Sequence, residues 1–202
     1  MTILSGFAEG PKSIILAADS GEQTHDPDTG AFFWDLADKF ESVEYPQGPM
    51  AWGFAGSEVG SDIGPWLASH TFGRWEDFRY AAGEKIREIN QPFSSDKNRS
   101  QRVISCLFAG TIDDHTRAIA LDECGSERYL RRGAYFVGGG RVFSELGWEV
   151  AADLGHDPSS STMRVVLQKA IDRLPALKGP INFWRITPDS FEKLTASEIL
   201  SV

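Results

Sequence analysis

The sequence predicts an α+β domain built of stacked layers, and three observations carry that expectation. Strand-type and helix-type segments come in segregated runs (strands, two helices, strands, two helices, strands) instead of alternating as βαβ units would. Met50 to Ala55 is a nearly continuous apolar run, the pattern of a strand covered on both faces. No composition shift, internal repeat or low-complexity tract divides the 202 residues, so residues 1–202 are expected to form one domain. Two packed sheets with a helix pair on each outer face satisfy all three.

The elements follow in order. Met1-Thr2-Ile3 opens a strand that runs on through Ile3 to Phe7, and Ser13 to Ala18 forms a second one ending on Asp19, with Gly10-Pro11 marking the turn between them. Gly21 to Gly30 reads as a polar loop, followed by strands at Ala31 to Trp34 and Lys39 to Val43 and a turn at Pro46 to Pro49. A helix is expected after Ser57, a capping residue, with Val59, Ile63, Trp66 and Leu67 on one face and Gly73 at its end. A second runs from Trp75 to Asn90, where Trp75, Phe78, Ala82, Ile86 and Ile89 keep helical spacing until Pro92. Val103 to Ile112 and Arg117 to Asp122 predict a hairpin, followed by strands at Arg128 to Arg131 and Ala134 to Val137. Helices at Arg141 to Leu154 and Thr162 to Leu174 precede a closing hairpin, Ile181 to Thr187 with Phe191 to Leu194.

Charge and composition exclude several function classes. The net charge of −9 opposes non-specific binding to nucleic acid or anionic membrane, and no basic run interrupts it. No apolar stretch reaches the roughly 18 residues of a membrane span, and Glu9, Lys12 and Asp19 break any signal-peptide pattern. The expected location is the cytoplasm, where Cys106 and Cys124 would be reduced thiols, placed nearly symmetrically about Asp113-Asp114-His115 and so expected to face each other across the hairpin. His25, His70, His115 and His156 are scattered without ligand spacing, so neither a metal nor a cofactor is expected. Gly138-Gly139-Gly140 before a helix lacks the lysine and serine of a phosphate loop.

Four positions suggest chemistry. Thr2 lies one residue from the start; its hydroxyl is a weak nucleophile, but an N-terminal threonine carries its own base, an α-amino group of pKa about 7.7–8.0. That role requires removal of Met1, which the small Thr2 side chain permits; the alternative is that Thr2 simply begins an edge strand. Asp19 and Lys39 each sit at the end of an apolar segment, where a charge calls for a partner. Gly56 follows a buried strand and precedes the expected helix, a place for backbone N–H groups that stabilise an oxyanion.

Met1-Thr2-Ile3, the strand ending in Asp19-Ser20, Asp38-Lys39-Phe40 and Gly53-Phe54-Ala55-Gly56-Ser57 together resemble the proteasome β-subunit family of N-terminal-nucleophile hydrolases, in particular the bacterial forms without a long propeptide. The resemblance spans nearly the whole chain. It implies a four-layer αββα sandwich of two antiparallel sheets and a cytoplasmic threonine protease or amide hydrolase that assembles with itself into a ring, with an ATPase partner left open. It implies that Asp19 holds Lys39, that Lys39 polarises Thr2, and that the Gly56 N–H faces the oxyanion. Asp38 would point to the opposite face of the Lys39 strand. Phe54 falls at the floor of the substrate pocket, and Gln23 and Thr24 fall in the loop that pairs with bound peptide. The aromatic-rich helices near Trp66, Trp75 and Trp148 offer faces for assembly. Three polar positions of the family pattern are replaced: Gly139 stands for a serine, and Leu174 and Leu177 stand for an acid and a serine. A catalytically silent assembly subunit and a small-molecule amidohydrolase on the same fold are the alternatives.

Overall fold

The computed structural model describes residues 2–25, 32–56, 58–93, 103–128 and 130–200. Two antiparallel sheets form its centre. The first has five strands in the order β11-β10-β2-β1-β9: β1 is Ile3–Gly10, β2 Ser13–Asp19, β9 Ala134–Gly138, β10 Ile181–Ile186 and β11 Phe191–Lys193. The second has four, β5-β6-β7-β8: Glu41–Tyr45, Gly48–Ala55, Ser105–Ile112 and His115–Leu121. Helices α1 (Ile63–Ala68) and α2 (Trp75–Asn90) cover the four-stranded sheet; α3 (Arg141–Asp153), α4 (Ser160–Arg173) and the short α5 (Ala196–Leu200) cover the other.

Strand alternation sorts the side chains into three cores. On β1 and β2, Ile3, Phe7, Ile15 and Ala17 face the α3–α4 layer, while Leu4, Leu16 and Ala18 face the opposing sheet. On the four-stranded sheet the division is by size. Met50, Trp52 and Phe108 face α1 and α2, whereas Ala51, Ala55, Ala109, Ala118 and Ala120 face the other sheet. Small residues along this inner face let the two sheets approach; a Cβ on Gly6 would already lie 3.0 Å from Leu16 and 3.4 Å from Leu107. The layer order is therefore αββα.

Several expectations change. The predicted polar loop begins as a strand: Gly21–His25 (β3) pairs with Phe32–Leu36 (β4) as a separate hairpin, its polar residues being acceptable on an open ribbon. The expected helix after Ser57 starts instead as a 3-10 turn, Glu58–Asp62, and becomes α-helical only at Ile63, ending at Ala68 before Gly73; Gly60 packs so closely on the Phe54 ring that a Cβ would lie 2.4 Å from it. Ser57 itself lies outside the described residues, as does the Val59 side chain. The strand expected from Arg128 to Arg131 is not formed as such: among the described residues there, Arg131 makes an isolated bridge with Ala134, across the turn at Arg132 (φ 50°) and Gly133 (φ 84°). The two-residue turn Asp113-Asp114, with φ of 53° and 59°, sets a register that puts Cys106 opposite Leu121, so Cys124 lies beyond the hairpin and both thiols are free.

Of the helices expected to offer apolar faces, the one that carries Trp148 does so, although Trp75 and Trp148 themselves turn inward. Trp75 and Trp148 are buried, their indole N–H groups donating to the His115 and Arg132 carbonyls. Among the described residues, most of the exposed large apolar side chains lie on α3, at its end and on α4: Val142, Phe143 (53 % exposed), Leu146 (60 %), Val150, Leu154 and Val165; Leu36, Tyr80 and Leu130 are the others. Among the described residues, no helix is long and apolar enough to cross a membrane.

Candidate active site

Thr2, Asp19, Lys39 and Gly56 lie on separate elements, and close backbone contacts bring them to one end of the sandwich. Thr2 is half-buried at the start of β1, and its carbonyl accepts the Gly139 N–H at 3.0 Å. Gly138, which ends β9 with φ +97°, lets this approach happen: a Cβ there would lie 2.0 Å from the Thr2 oxygen and 2.9 Å from Ala55 Cβ. The Ala55-Gly56 turn at the end of β6 is thus brought against the start of β1 through Gly138. Gly140 continues the same packing, since a Cβ there would meet Ile3 and Leu177 within 2.9 Å. These approaches account for Gly138 and Gly140.

Asp19 is fully buried at the end of β2. Its backbone pairs with Ile181 of β10, while its Oδ1 accepts the Ile3 N–H at 2.8 Å. Burial pushes the carboxyl up to about 6; the Ile3 N–H, the charge of Lys39 and the Lys178 backbone pull the other way. Lys39 does not begin a strand. It sits in the connection before β5, clamped on both sides: Ala37 N–H donates to the Ser20 carbonyl at 2.8 Å, and a Cβ on Gly53 would lie 2.6 Å from the Lys39 carbonyl. Lys39 acts on Asp19 through its charge. Asp38 shares the connection, so the argument from strand alternation does not apply to it; its carboxylate pairs instead with Lys193 and accepts from Asn182.

Gly56 has φ +142°, and a Cβ there would lie 2.2 Å from the Val103 carbonyl. The segment after it is a 3-10 turn followed by a six-residue helix, so the helix-dipole part of the oxyanion argument falls away. What stays is a backbone N–H on a glycine turn packed too tightly against Val103 and Ile104 to admit a Cβ. Phe54 faces the α1–α2 layer, stacked on Trp52 with ring centroids 5.9 Å apart. Gln23 and Thr24 lie on β3 opposite Trp34 and Phe33; their side chains lie outside the described residues. Leu177 is buried and Leu174 packs beside it in the α3–α4 core, so both fill apolar volume where the family pattern has polar groups. Sequence reading missed the part played by Gly138 and by Asn90, whose side chain is buried behind Gly56; a glycine at the last residue of a strand was the available signal for the first.

Neither a family model nor a curated protein sequence matches the chain. Solved structures do. The chain is similar to eukaryotic HslV from Trypanosoma brucei, with a TM-score of 0.61 and 15% identity, covering 93% of this chain and 99% of that one. It is also similar to Anbu, an ancestral β-subunit, from Yersinia bercovieri, with a TM-score of 0.68 and 13% identity, covering 96% and 87%. At these identities the likeness is one of fold. The resemblance to proteasome β-subunits is borne out at that level, and the αββα sandwich it implied is the architecture observed.

Proposed function

We propose that this chain is a proteasome-like hydrolase of peptide or other amide bonds, with Thr2 as its N-terminal nucleophile once Met1 is removed. The observation that supports it most is the convergence at Gly138, where the start of β1 meets the turn carrying Gly56 while the buried carboxylate of Asp19 holds Ile3. In this reading the free α-amino group of Thr2 takes the hydroxyl proton as Oγ attacks the scissile carbonyl. The Gly56 N–H stabilises the oxyanion, and the charge of Lys39, set beside Asp19, favours the alkoxide. The C–N bond breaks as the proton passes to the leaving amine, and water then hydrolyses the Thr2 ester.

The apolar Leu177, packed against Ile3 and Gly140, favours slow turnover and supports the second reading, a catalytically silent assembly subunit. In either reading the chain self-associates through the apolar ridge of α3, since a contiguous exposed row of this kind marks an interaction surface. Intact mass and activity test the nucleophile together. The expected result is a mature protein lacking Met1 that cleaves fluorogenic peptides and loses that activity in Thr2→Ala while remaining folded. Full activity in Thr2→Ala, or in protein that retains Met1, removes Thr2 as the nucleophile.

A further inference from the structure

We propose that Asn90 is a positioning residue for the Gly56 turn, acting through Ile104. The proposal rests on the reading of the Gly56 N–H as oxyanion donor. The β6–β7 pairing runs from Ala51↔Ala109 to Ala55↔Ser105 and goes no further. Ile104, the next residue out, is fully buried, and both of its backbone groups are met by one side chain. Its N–H donates to Asn90 Oδ1 at 2.8 Å, and its carbonyl accepts from Asn90 Nδ2 at 2.9 Å. The same amide donates to the Glu123 carbonyl at 2.9 Å, tying the clamp to the turn after β8. Asn90, the last residue of α2, therefore stands in for a missing strand partner.

What Ile104 backs onto gives the clamp a function. A Cβ on Gly56 would lie 2.8 Å from Ile104 Cα and 3.0 Å from its Cγ2, so the Val103–Ile104 backbone is the wall behind the Gly56 turn. Gly56 holds φ +142°, a conformation open to glycine among a wide range of others, and the Val103–Ile104 wall is what holds it there. Releasing Ile104 lets the turn relax and moves the N–H away from the developing charge, and a misplacement of about 1 Å costs about a hundredfold in rate. Asn90 touches neither Thr2 nor substrate and acts only through this wall.

The test compares Asn90→Ala with Ile86→Val, a core change on the same helix. On fluorogenic peptides Asn90→Ala is expected to lower kcat by about 10- to 100-fold with KM within about twofold, while Ile86→Val keeps wild-type kcat. In protein labelled with 15N-glycine, the Gly56 amide order parameter should fall from the rigid range near 0.85 toward 0.6 in Asn90→Ala alone. A Gly56 amide that stays rigid in Asn90→Ala overturns the proposal. If the unaltered protein cleaves no peptide, the hydrolase reading fails, and the Gly56 amide still decides the clamp. Should Asn90→Ala fail to fold, Asn90→Asp serves: it keeps the acceptor for Ile104 N–H, withdraws both donors, and should shift the Gly56 amide in the same direction by less.

Discussion

Asp19 Oδ1 and the Ile3 N–H are joined by a 2.8 Å hydrogen bond, so a side chain supplies the acceptor that the β1–β2 pairing, whose last register pair is Leu4↔Ala18, does not. The carboxylate is thereby fixed to the backbone next to Thr2, at a position where it is fully buried. Its pH behaviour follows from that burial.

The folded-state pKa of Asp19 is about 6, above its ordinary 3.8. Below about 3.8 both folded and unfolded chains hold the proton; between the two values only the folded chain does. Asp19 therefore contributes stability that is full below its ordinary value and is lost as pH rises through about 6, on the order of 3 kcal/mol at 1.36 kcal/mol per unit. Asp19→Asn keeps an acceptor for Ile3 without this titration. Its thermal midpoint relative to wild type should rise between pH 4 and pH 7; a flat difference would mean that Asp19 does not titrate in this window.

Gly138→Ala should be among the most damaging single-methyl changes in this chain. The added Cβ would sit 2.0 Å from the Thr2 carbonyl on a backbone of φ +97°. Strain and overpacking together are expected to cost on the order of 3 kcal/mol, read as a lower urea midpoint at unchanged m. Because the clash pushes β1 away from Ala55, activity should fall even where the variant stays folded.

Gly139→Ser restores a hydroxyl at the position that the family pattern gives to serine. Gly139 already donates its N–H to the Thr2 carbonyl, so the new hydroxyl is introduced at a residue hydrogen-bonded directly to Thr2. If the Thr2 amine is the general base, orienting it should raise kcat several-fold, with activity still rising along the acid-side limb of the pH–rate profile as the amine loses its proton. A fast wild type that the serine slows would mean that a different group serves as base.

Leu146→Glu places a charge in the middle of the α3 ridge, where Leu146 is 60 % exposed beside Phe143 and Val150. Light scattering should show an assembly in wild type and a 22.3 kDa monomer in the variant. A wild type that is itself monomeric at micromolar concentration rules out self-association through this face.

The fold was largely legible because its signals are local and periodic. The α2 boundaries, Trp75–Asn90, follow from apolar spacing and Pro92, and β6 from its unbroken apolar run. β3 was not legible, since Gly21 to Thr24 carries no apolar alternation and its pairing with β4 decides its conformation. The tryptophans misled because a large apolar side chain on a helix reads alike whether it faces a core or a partner, and Trp75 and Trp148 face cores. At the candidate site, residue type and order single out Thr2, Asp19 and Gly56 in the sequence. The Asn90 clamp spans 14 residues to Ile104 and leaves no pattern in the sequence. Lys39 was placed in a strand because Phe40 and Val43 are apolar, but Phe40 is buried from an irregular connection.

The order of strands in the five-stranded sheet also fixes when the site can come into being on the ribosome. The β1–β2 hairpin emerges first, yet neither of its outer edges can be satisfied locally. β1 must wait for Ala134–Gly138 and β2 for Ile181–Ile186. Until then two apolar strand edges stand open in the nascent chain, the exposure that makes long-range sheets slow to form and prone to wrong pairing. Thr2 gains its Gly139 contact, and Asp19 its covered position beside β10, only after most of the chain has been made. The candidate site thus takes its strand β1 from chain made well before the segments that surround it, and is among the last parts to be completed.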